Sequence, residues 1–148
     1  MAPCEVSATV RATPATIWSS CFEPMKWESW DPDLRELKDV SGPCDSGTTC
    51  TFAMNNGQDI PAELIDVRKN ECLTFRGKAF FGTVKFEGNV LYRKIPNEEA
   101  ISRIDYTFRL HGMLGGAVNL FQRDEVVHGT QGGLDNMVRL SEEAQRLN

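Results

Sequence analysis

The stretch Trp27-Glu28-Ser29-Trp30-Asp31-Pro32 is the most informative part of this chain. It follows a short helical pattern that ends near Glu23-Pro24, and it precedes a long series of strand patterns. Two indoles in such a connecting segment carry a large apolar surface, which must be buried where the helix meets the sheet. Trp27 and Trp30 therefore either pack in the core or contact a ligand in a cavity, and the sequence leaves both roles open.

Seven segments around this stretch have strand patterns, several of them with clear alternation of apolar and polar residues. They span residues 5–11, 34–40, 48–54, 59–67, 72–77, 83–94 and 101–111. Asn55-Asn56-Gly57 predicts a hairpin turn between two of them, and Thr13 followed by Pro14 predicts the start of the short helix. Such alternation is typical of an antiparallel sheet with one face in solvent and one face in the core.

The C-terminal part of the chain, from about Met113 to Asn148, has the period of a helix instead. Its apolar stripe consists of Leu134, Met137, Val138, Leu140 and Ala144. Glycines interrupt the first half of this pattern and predict a bend or break there. These glycines are Gly115, Gly116, Gly129, Gly132 and Gly133.

This order of elements predicts an α+β fold of the helix-grip type. In that fold a curved antiparallel sheet wraps around a long C-terminal helix, and here two short helices follow the first strand. We expect one such domain over residues 1–148, because a chain of this length forms one domain with a sizeable core. A single helix does not fill a wide curved sheet, so we also expect a cavity between them.

The composition argues against several classes of function. Lys and Arg total 16 against 21 Asp and Glu, and an acidic chain with a net charge of -5 lacks the basic surface that nucleic acids require. No apolar run reaches the length of a membrane span, and the first residues lack the pattern of a secretory signal. The five cysteines form no CxxC pair and no Cys/His cluster, so we expect reduced thiols in a cytoplasmic protein, without a metal site or a disulfide scaffold.

Seven short motifs occur in order along nearly the whole chain. They are ATPATIW at 12–18, WESWDP at 27–32, GxxxxF at 47–52, LTFRG at 73–77, FEG at 86–88, RLHG at 109–112 and GLDNMVRLSEEA at 133–144. In these motifs the chain resembles the START-like (SRPBCC) superfamily, in its polyketide cyclase/dehydrase and lipid transport branch. The resemblance implies a deep apolar pocket for lipids, hormones, polyketides or other hydrophobic ligands. It does not imply one activity, because a fold shared so widely hosts enzymes, carriers and binding modules.

The strand face that is expected to meet the helix supplies the candidate walls of this pocket. The predicted ligand contacts are Trp27, Trp30, Phe52, Met54, Phe75, Arg76, Phe86, Val90, Phe108, Leu110 and Phe121. Arg76 would reach a ligand only if a bulge at Gly77 turned it inward, where a guanidinium could bind a carboxylate or an enolate. A regular strand would leave Arg76 in solvent.

Four residues are candidates for proton transfer. Tyr92 and Tyr106 lie on the dry strand face, where a phenol needs a partner for its hydroxyl, and a ligand can supply one. Glu125 and His128 lie three residues apart on the C-terminal helix and would form an acid–base pair if that face lines the cavity. A break near Gly129 would instead turn His128 outward.

Three functions are consistent with this sequence. The first is a cofactor-independent cyclase or dehydratase, of the lyase or isomerase type, that acts on a polyketide-like or terpenoid-like substrate in secondary metabolism. Most of its catalysis would come from positioning the substrate in a dry pocket. The second is a non-catalytic carrier of a lipid or hydrophobic metabolite, and the third is a regulatory domain that binds a partner protein. We expect a monomer or a homodimer.

Overall fold

Seven strands form one antiparallel sheet in the computed structural model, which describes residues 3–79, 81–111 and 123–148. The strands are β1 (Cys4–Val10), β2 (Leu34–Lys38), β3 (Thr49–Met54), β4 (Asp59–Arg68), β5 (Cys72–Ala79), β6 (Val84–Lys94) and β7 (Ser102–His111). Their spatial order is β1-β7-β6-β5-β4-β3-β2, so β2 to β7 form a meander and β1 pairs with its last strand. All seven predicted strands are confirmed, with small differences at their ends.

Short helical elements connect β1 to β2. They are α1 (Pro14–Ile17), a π-helical turn (Trp18–Phe22) and a 3-10 turn (Trp27–Ser29). Thr13 caps α1 as predicted, because its hydroxyl accepts a hydrogen bond from the Thr16 N–H at 3.2 Å. Glu23 caps the C-terminal end of the π-helical turn, since its N–H donates to the Trp18 carbonyl at 3.1 Å. The chain then passes directly into the tryptophan segment.

The long C-terminal helix, α2 (Arg123–Arg146), lies against β1, β7 and the π-helical turn. Its C-terminal half is fastened to the start of the chain, since the Glu142 carboxylate accepts from the Arg11 N–H at 2.9 Å. This arrangement confirms the helix-grip α+β fold. The predicted helical stretch before Arg123 lies outside the described residues. No described helix, α2 included, is long and apolar enough to cross a membrane.

The predicted break of the helix at Gly129, Gly132 and Gly133 is wrong, because α2 runs through all three without interruption. A Cβ atom at Gly129 would overlap the Asp33 carboxylate, and one at Gly133 would lie 3.4 Å from the Tyr106 ring. The glycines therefore allow the helix to approach the segment after Trp30 closely. Each glycine makes a helix less stable than alanine does, by about 1 kcal/mol. The free energy gained by packing this face of the helix compensates for that cost.

All five cysteines are buried and unpaired. Burial raises the pKa of the Cys21 thiol to about 12 and that of Cys50 to about 11. Both groups are therefore neutral at physiological pH and pack as small hydrophobic side chains, as the sequence predicted.

Candidate functional site

A cavity of about 580 Å³ lies between the sheet and the N-terminal half of α2. Its apolar lining consists of Phe52, Met54, Ile60, Phe75, Ala79, Val84, Phe86, Phe108, Leu110 and Val126. Its polar lining consists of Asp31, Asp33, Asn55, Asn56, Gln58, Tyr106, Glu125 and Thr130. The volume and the mixture of aromatic walls with a few polar groups are typical of small-molecule sites. The predicted cavity between helix and sheet is confirmed.

Two phenylalanines in the cavity wall lie across glycines of the neighbouring strand. Phe75 on β5 is paired with Gly88 on β6, and Gly77 on β5 is paired with Phe86 on β6. A Cβ atom at either glycine would overlap the facing phenyl ring, so only glycine fits at both positions. This reciprocal packing explains the motifs LTFRG and FEG: each supplies one ring to the cavity and one glycine to receive the other ring.

The tryptophans of the 27–32 segment support this wall from behind. Trp27 and Trp30 are each 1% exposed, and neither lines the cavity. The Trp27 ring contacts Phe75 with centroids 5.5 Å apart, and the Trp30 ring contacts Tyr106 at 6.0 Å. Their indole N–H groups donate to the carbonyls of residues 22 and 21, at 3.1 Å and 2.9 Å. Of the two roles left open by the sequence, the structure therefore places both indoles in the core.

One end of the cavity is polar and is built around Tyr106. The Tyr106 side chain is 4% exposed and lines the cavity. Asp31 and Asp33 lie close enough that their charges, after burial itself, raise the pKa of Tyr106 well above its usual range. The phenol therefore stays protonated and can donate a hydrogen bond to a ligand.

Backbone contacts hold Asp31 in place at this end. Its carboxylate accepts a hydrogen bond from the Asp33 N–H at 3.0 Å, and its own N–H donates to the Trp27 carbonyl at 2.9 Å. The segment is also fixed from two sides: Asn136 of α2 donates to the Trp30 carbonyl at 2.9 Å, and the Asn55 side chain donates to the residue 32 carbonyl at 2.7 Å. Asp31 is thus preorganised by the helix and by the β3–β4 turn.

Burial raises the pKa of Asp31 from 3.8 to about 6, and the nearby Asp33 charge contributes to the rise. The hydrogen bond from the Asp33 N–H opposes this effect. A carboxyl group with such a pKa exists in both protonation states near neutral pH, as a general acid or base requires.

The structure brings together many of the predicted site residues. Phe52, Met54, Phe75, Phe86, Phe108 and Leu110 line the apolar part of the cavity, and Tyr106 and Glu125 line its polar part. The alternation of inward-facing and outward-facing residues along each strand was sufficient to find most of them, because neighbouring residues on a strand point to opposite faces.

Several other predicted residues lie elsewhere. Tyr92 is fully buried away from the cavity lining, and its hydroxyl accepts from the Asn70 N–H at 2.9 Å, so its partner is the protein itself. Val90 is also fully buried in the core. Arg76 is exposed and pairs with Glu63 at 3.5 Å across a regular part of the sheet, so the inward placement is wrong.

The predicted acid–base pair on the C-terminal helix is not assembled in the cavity. His128 is exposed and absent from the lining formed by the described residues, whereas Glu125 lines the cavity. The reason for the separation is the helical period: Glu125 shares its face with Gly129, which packs on Asp33, and His128 lies beside that face. The predicted contact Phe121 lies outside the described residues.

The polar residues that sequence analysis missed are the carboxylates Asp31 and Asp33 and the turn amides near Asn55. Their signal was the pair of acidic residues that flanks Pro32, directly after two buried indoles.

A comparison with protein families agrees with this architecture. The model described as "Polyketide cyclase / dehydrase and lipid transport" matches residues 1–142. The chain belongs to this family. Membership identifies it as a START-like protein that binds hydrophobic ligands. A comparison with curated proteins finds no match.

Several solved structures of low sequence identity share the fold of this chain. A hypothetical protein from Helicobacter pylori, jhp0584, has a TM-score of 0.77 at 16% identity, over 93% of this chain and 86% of that one. The di-domain ARO/CYC protein BexL of the BE-7585A biosynthetic pathway has a TM-score of 0.70 at 13% identity, over 96% of this chain and 47% of BexL. DynU16, a protein of the dynemicin biosynthetic locus, has a TM-score of 0.69 at 15% identity, over 97% of this chain and 48% of DynU16.

Proposed function

We propose that this protein binds a polyketide-like or terpenoid-like molecule in the cavity and assists its cyclisation or dehydration without a cofactor. The observation that carries the proposal is that a phenol, Tyr106, and a nearby carboxyl group of raised pKa, Asp31, line the same end of an aromatic cavity. The family description and the printed names of BexL and DynU16 support the same class of chemistry.

The two groups have complementary roles in such a reaction. The ionised Asp31 would remove a proton from a carbon next to a carbonyl group of the substrate, and the Tyr106 hydroxyl would donate a hydrogen bond to the enolate oxygen that forms. The enolate carbon would then attack a second carbonyl of the same molecule, and the alkoxide that forms would take the proton from Asp31, which returns to its ionised form. In a later dehydration, Asp31 would remove the remaining proton from the carbon next to the carbonyl and deliver it to the β-hydroxyl group, which departs as water.

The shape of the cavity would supply the rest of the catalysis. Phe75 and Phe86 are fixed by their glycine partners and Trp27 supports Phe75, so the wall that folds the substrate is rigid. Holding two reacting carbons of a flexible chain together removes much of the entropic barrier to cyclisation.

A carrier function is the second candidate, because most of the lining is apolar. In that case the protein would retain its ligand unchanged, and Tyr106 would only orient a polar group. The cytoplasmic location and the part played in secondary metabolism stay predictions of the same proposal.

Native mass spectrometry of the protein purified from its source tests the binding step. We expect a co-purifying hydrophobic molecule, and we expect its loss from Ala79→Trp, which places a large side chain in the cavity. An empty wild-type protein that also binds no hydrophobic probe would contradict the proposal.

The catalytic step is tested with the molecule so identified or its precursor. Tyr106→Phe should lower turnover by at least tenfold with a ligand dissociation constant within a few-fold of wild type. Tyr92→Phe is the matched control, since it removes a buried phenol hydroxyl outside the cavity, and its turnover should not change at a temperature where it is folded. Unchanged turnover in Tyr106→Phe would favour the carrier.

A further inference from the structure

The turn between β5 and β6 exposes an aromatic side chain. Phe81 is fully exposed, and it is the only exposed aromatic side chain among the residues that the structure describes. The turn is closed by a hydrogen bond from the Gly82 N–H to the Ala79 carbonyl at 3.2 Å, and Phe81 has a φ of 57°. Glycine or asparagine adopts this left-handed conformation more easily than a bulky residue does. Hydration of the ring and backbone conformation both disfavour phenylalanine here, which points to a contact with another surface.

Three basic side chains, Lys78, Lys85 and His111, form a row on the outer face of the strands that flank this turn. Lys78 on β5 is paired directly with Lys85 on β6, and Lys85 is paired with His111 on β7. No ion pair with a described residue involves either lysine. Like charges directly opposite each other destabilise a sheet. This basic row is therefore a local excess of positive charge in a chain whose net charge is -5.

The neighbouring row of the same face is balanced in charge. Its members alternate in sign across β4 to β7 and are Glu63, Arg76, Glu87 and Arg109. Ion pairs join Arg76 to Glu63 at 3.5 Å and Arg109 to Glu87 at 3.8 Å. Asp39 lines a groove on this face together with both lysines of the basic row, but it forms no ion pair with them. Uncompensated positive charge is thus found on the strand ends next to the exposed ring.

The inner face of the same strand ends lines the cavity. Ala79, Val84 and Leu110 are cavity residues, and each of them adjoins one member of the basic row along its strand. Neighbouring residues on a strand point to opposite faces, so the basic row lies outside this part of the cavity wall. A surface that meets the β5–β6 turn therefore lies next to the cavity.

An apolar ring beyond a row of ammonium groups suits a bilayer with anionic headgroups. Lys78 and Lys85 lie three and four residues from Phe81, which is about 10 Å along a strand. Apolar groups of peripheral proteins are buried about 5–10 Å into the boundary between headgroups and acyl chains. At that depth of the ring, the long lysine side chains reach the headgroup phosphates. An acidic protein surface would match the lysines but offers no apolar medium to an isolated protruding ring.

We propose that the β5–β6 turn docks this protein on membranes that contain anionic lipids, with Phe81 inserted and with Lys78 and Lys85 against the headgroup phosphates. Docking places the cavity beside the bilayer, from which a hydrophobic ligand can enter. The inference concerns how a ligand reaches the cavity and not how it reacts, so it does not depend on the proposed chemistry.

Sedimentation of the intact protein with vesicles tests the lipid preference. The vesicles consist of phosphatidylcholine alone or of phosphatidylcholine with about one third phosphatidylglycerol. At low ionic strength we expect binding to the anionic vesicles to be stronger by at least about fivefold, and this preference should disappear at about 0.5 M salt because the charges are screened. No binding to the anionic vesicles, or equal binding to both kinds, would overturn the inference.

The double variant Lys78→Gln/Lys85→Gln tests the basic row. It should weaken binding to the anionic vesicles by at least about tenfold, because each lysine close to such a surface contributes about fivefold. Lys69→Gln/Lys94→Gln removes the same charge from exposed positions at the opposite end of the sheet and should stay within about twofold of wild type. Equal losses in the two double variants would contradict a localised docking surface.

Phe81→Asn tests insertion of the ring without loss of the fold. Its melting temperature should not fall, because asparagine adopts a positive φ more readily, whereas binding to the anionic vesicles should weaken by at least about fivefold. Leu147→Asn is the control, since it removes another exposed apolar side chain and should bind like wild type. Unchanged binding in Phe81→Asn, with binding lost in the Lys78/Lys85 variant, would overturn insertion and favour an acidic protein as the partner.

Phe81→Trp reports the depth of the ring directly. This variant should bind like wild type, and brominated lipids should quench the fluorescence of the new indole. The three native tryptophans are buried and should not be quenched. A bound variant whose new indole is not quenched would also contradict insertion.

Discussion

Replacement of Asp31 by asparagine tests the electrostatics of the site directly. Asparagine keeps an oxygen that can accept the hydrogen bond from the Asp33 N–H, but it cannot ionise. Among the described residues that line the cavity, the charged or titratable ones besides Asp31 are Asp33, Tyr106 and Glu125, and none of them is a cation. No described cation of the lining therefore offsets the charge of the ionised Asp31.

The expected magnitude follows from the pKa of Asp31. Burial raises it from 3.8 to about 6, so the folded protein retains a proton that the unfolded chain releases at about pH 4. Because the folded state binds this proton more tightly than the unfolded chain, the group's contribution to the free energy of unfolding is fully present below about pH 4. The contribution is lost as the pH rises through about 6. The full effect would be about 3 kcal/mol. Because the Asp31 side chain keeps some contact with solvent, screening lowers the expected value to about 1–2 kcal/mol.

Urea denaturation followed by tryptophan fluorescence measures this effect. Asp31→Asn should be more stable than wild type by about 1–2 kcal/mol at pH 7.5, and the difference should shrink to about zero near pH 4. Asp33→Asn is the control, because it removes a neighbouring charge while Asp31 can still ionise. The free energy of unfolding of this variant should therefore still fall between pH 4 and 6. A stability difference between wild type and Asp31→Asn that does not depend on pH would refute the reasoning.

Two further predictions concern the packing of the cavity wall. Trp27→Ala should lower the free energy of unfolding by about 3–5 kcal/mol in urea denaturation, because it removes a fully buried indole. Its affinity for the fluorescent hydrophobic probe 1-pyrenemethanol should change only a few-fold at temperatures where the variant is folded. Intact stability with lost probe binding would instead make Trp27 a ligand contact. Gly88→Ala should cost about 1–3 kcal/mol, since its methyl group would overlap the buried Phe75 ring. Gly42→Ala is its control and should stay within about 0.5 kcal/mol of wild type, because a methyl group there meets only Thr48 Oγ1 at 3.5 Å; equal losses in both glycine variants would contradict the assigned role of Gly88.

Part of the candidate site was predictable, because the face on which a strand residue lies follows from its position among its immediate neighbours. Phe86, Tyr106 and Phe108 follow the period of two along β6 and β7, so their common face could be assigned without knowledge of the fold. This alternation does not distinguish one end of a strand from the other. Tyr92 shares the inward face with Val90, but it lies toward the end of the sheet where its hydroxyl meets the Asn70 N–H.

The helix glycines show the limit of a propensity argument. Gly129 and Gly133 weaken an isolated helix, and from sequence alone this predicts a break. In the folded protein they permit close contact with Asp33 and Tyr106, and the packing of the helix outweighs the local preference.

The amino-acid sequence by itself determined the class of fold, the seven strands, the capped first helix and the apolar character of the cavity, because these depend on periodicity and turn chemistry within short segments. Only the tertiary structure decided that Asp31, Asp33 and Glu125 line one cavity with Tyr106, while Tyr92, Arg76 and His128 lie apart. The meeting depends on contacts among a loop, a turn and a helix that are far apart in the chain. Such contacts depend on how the packed elements fit together, which no local pattern of residues encodes.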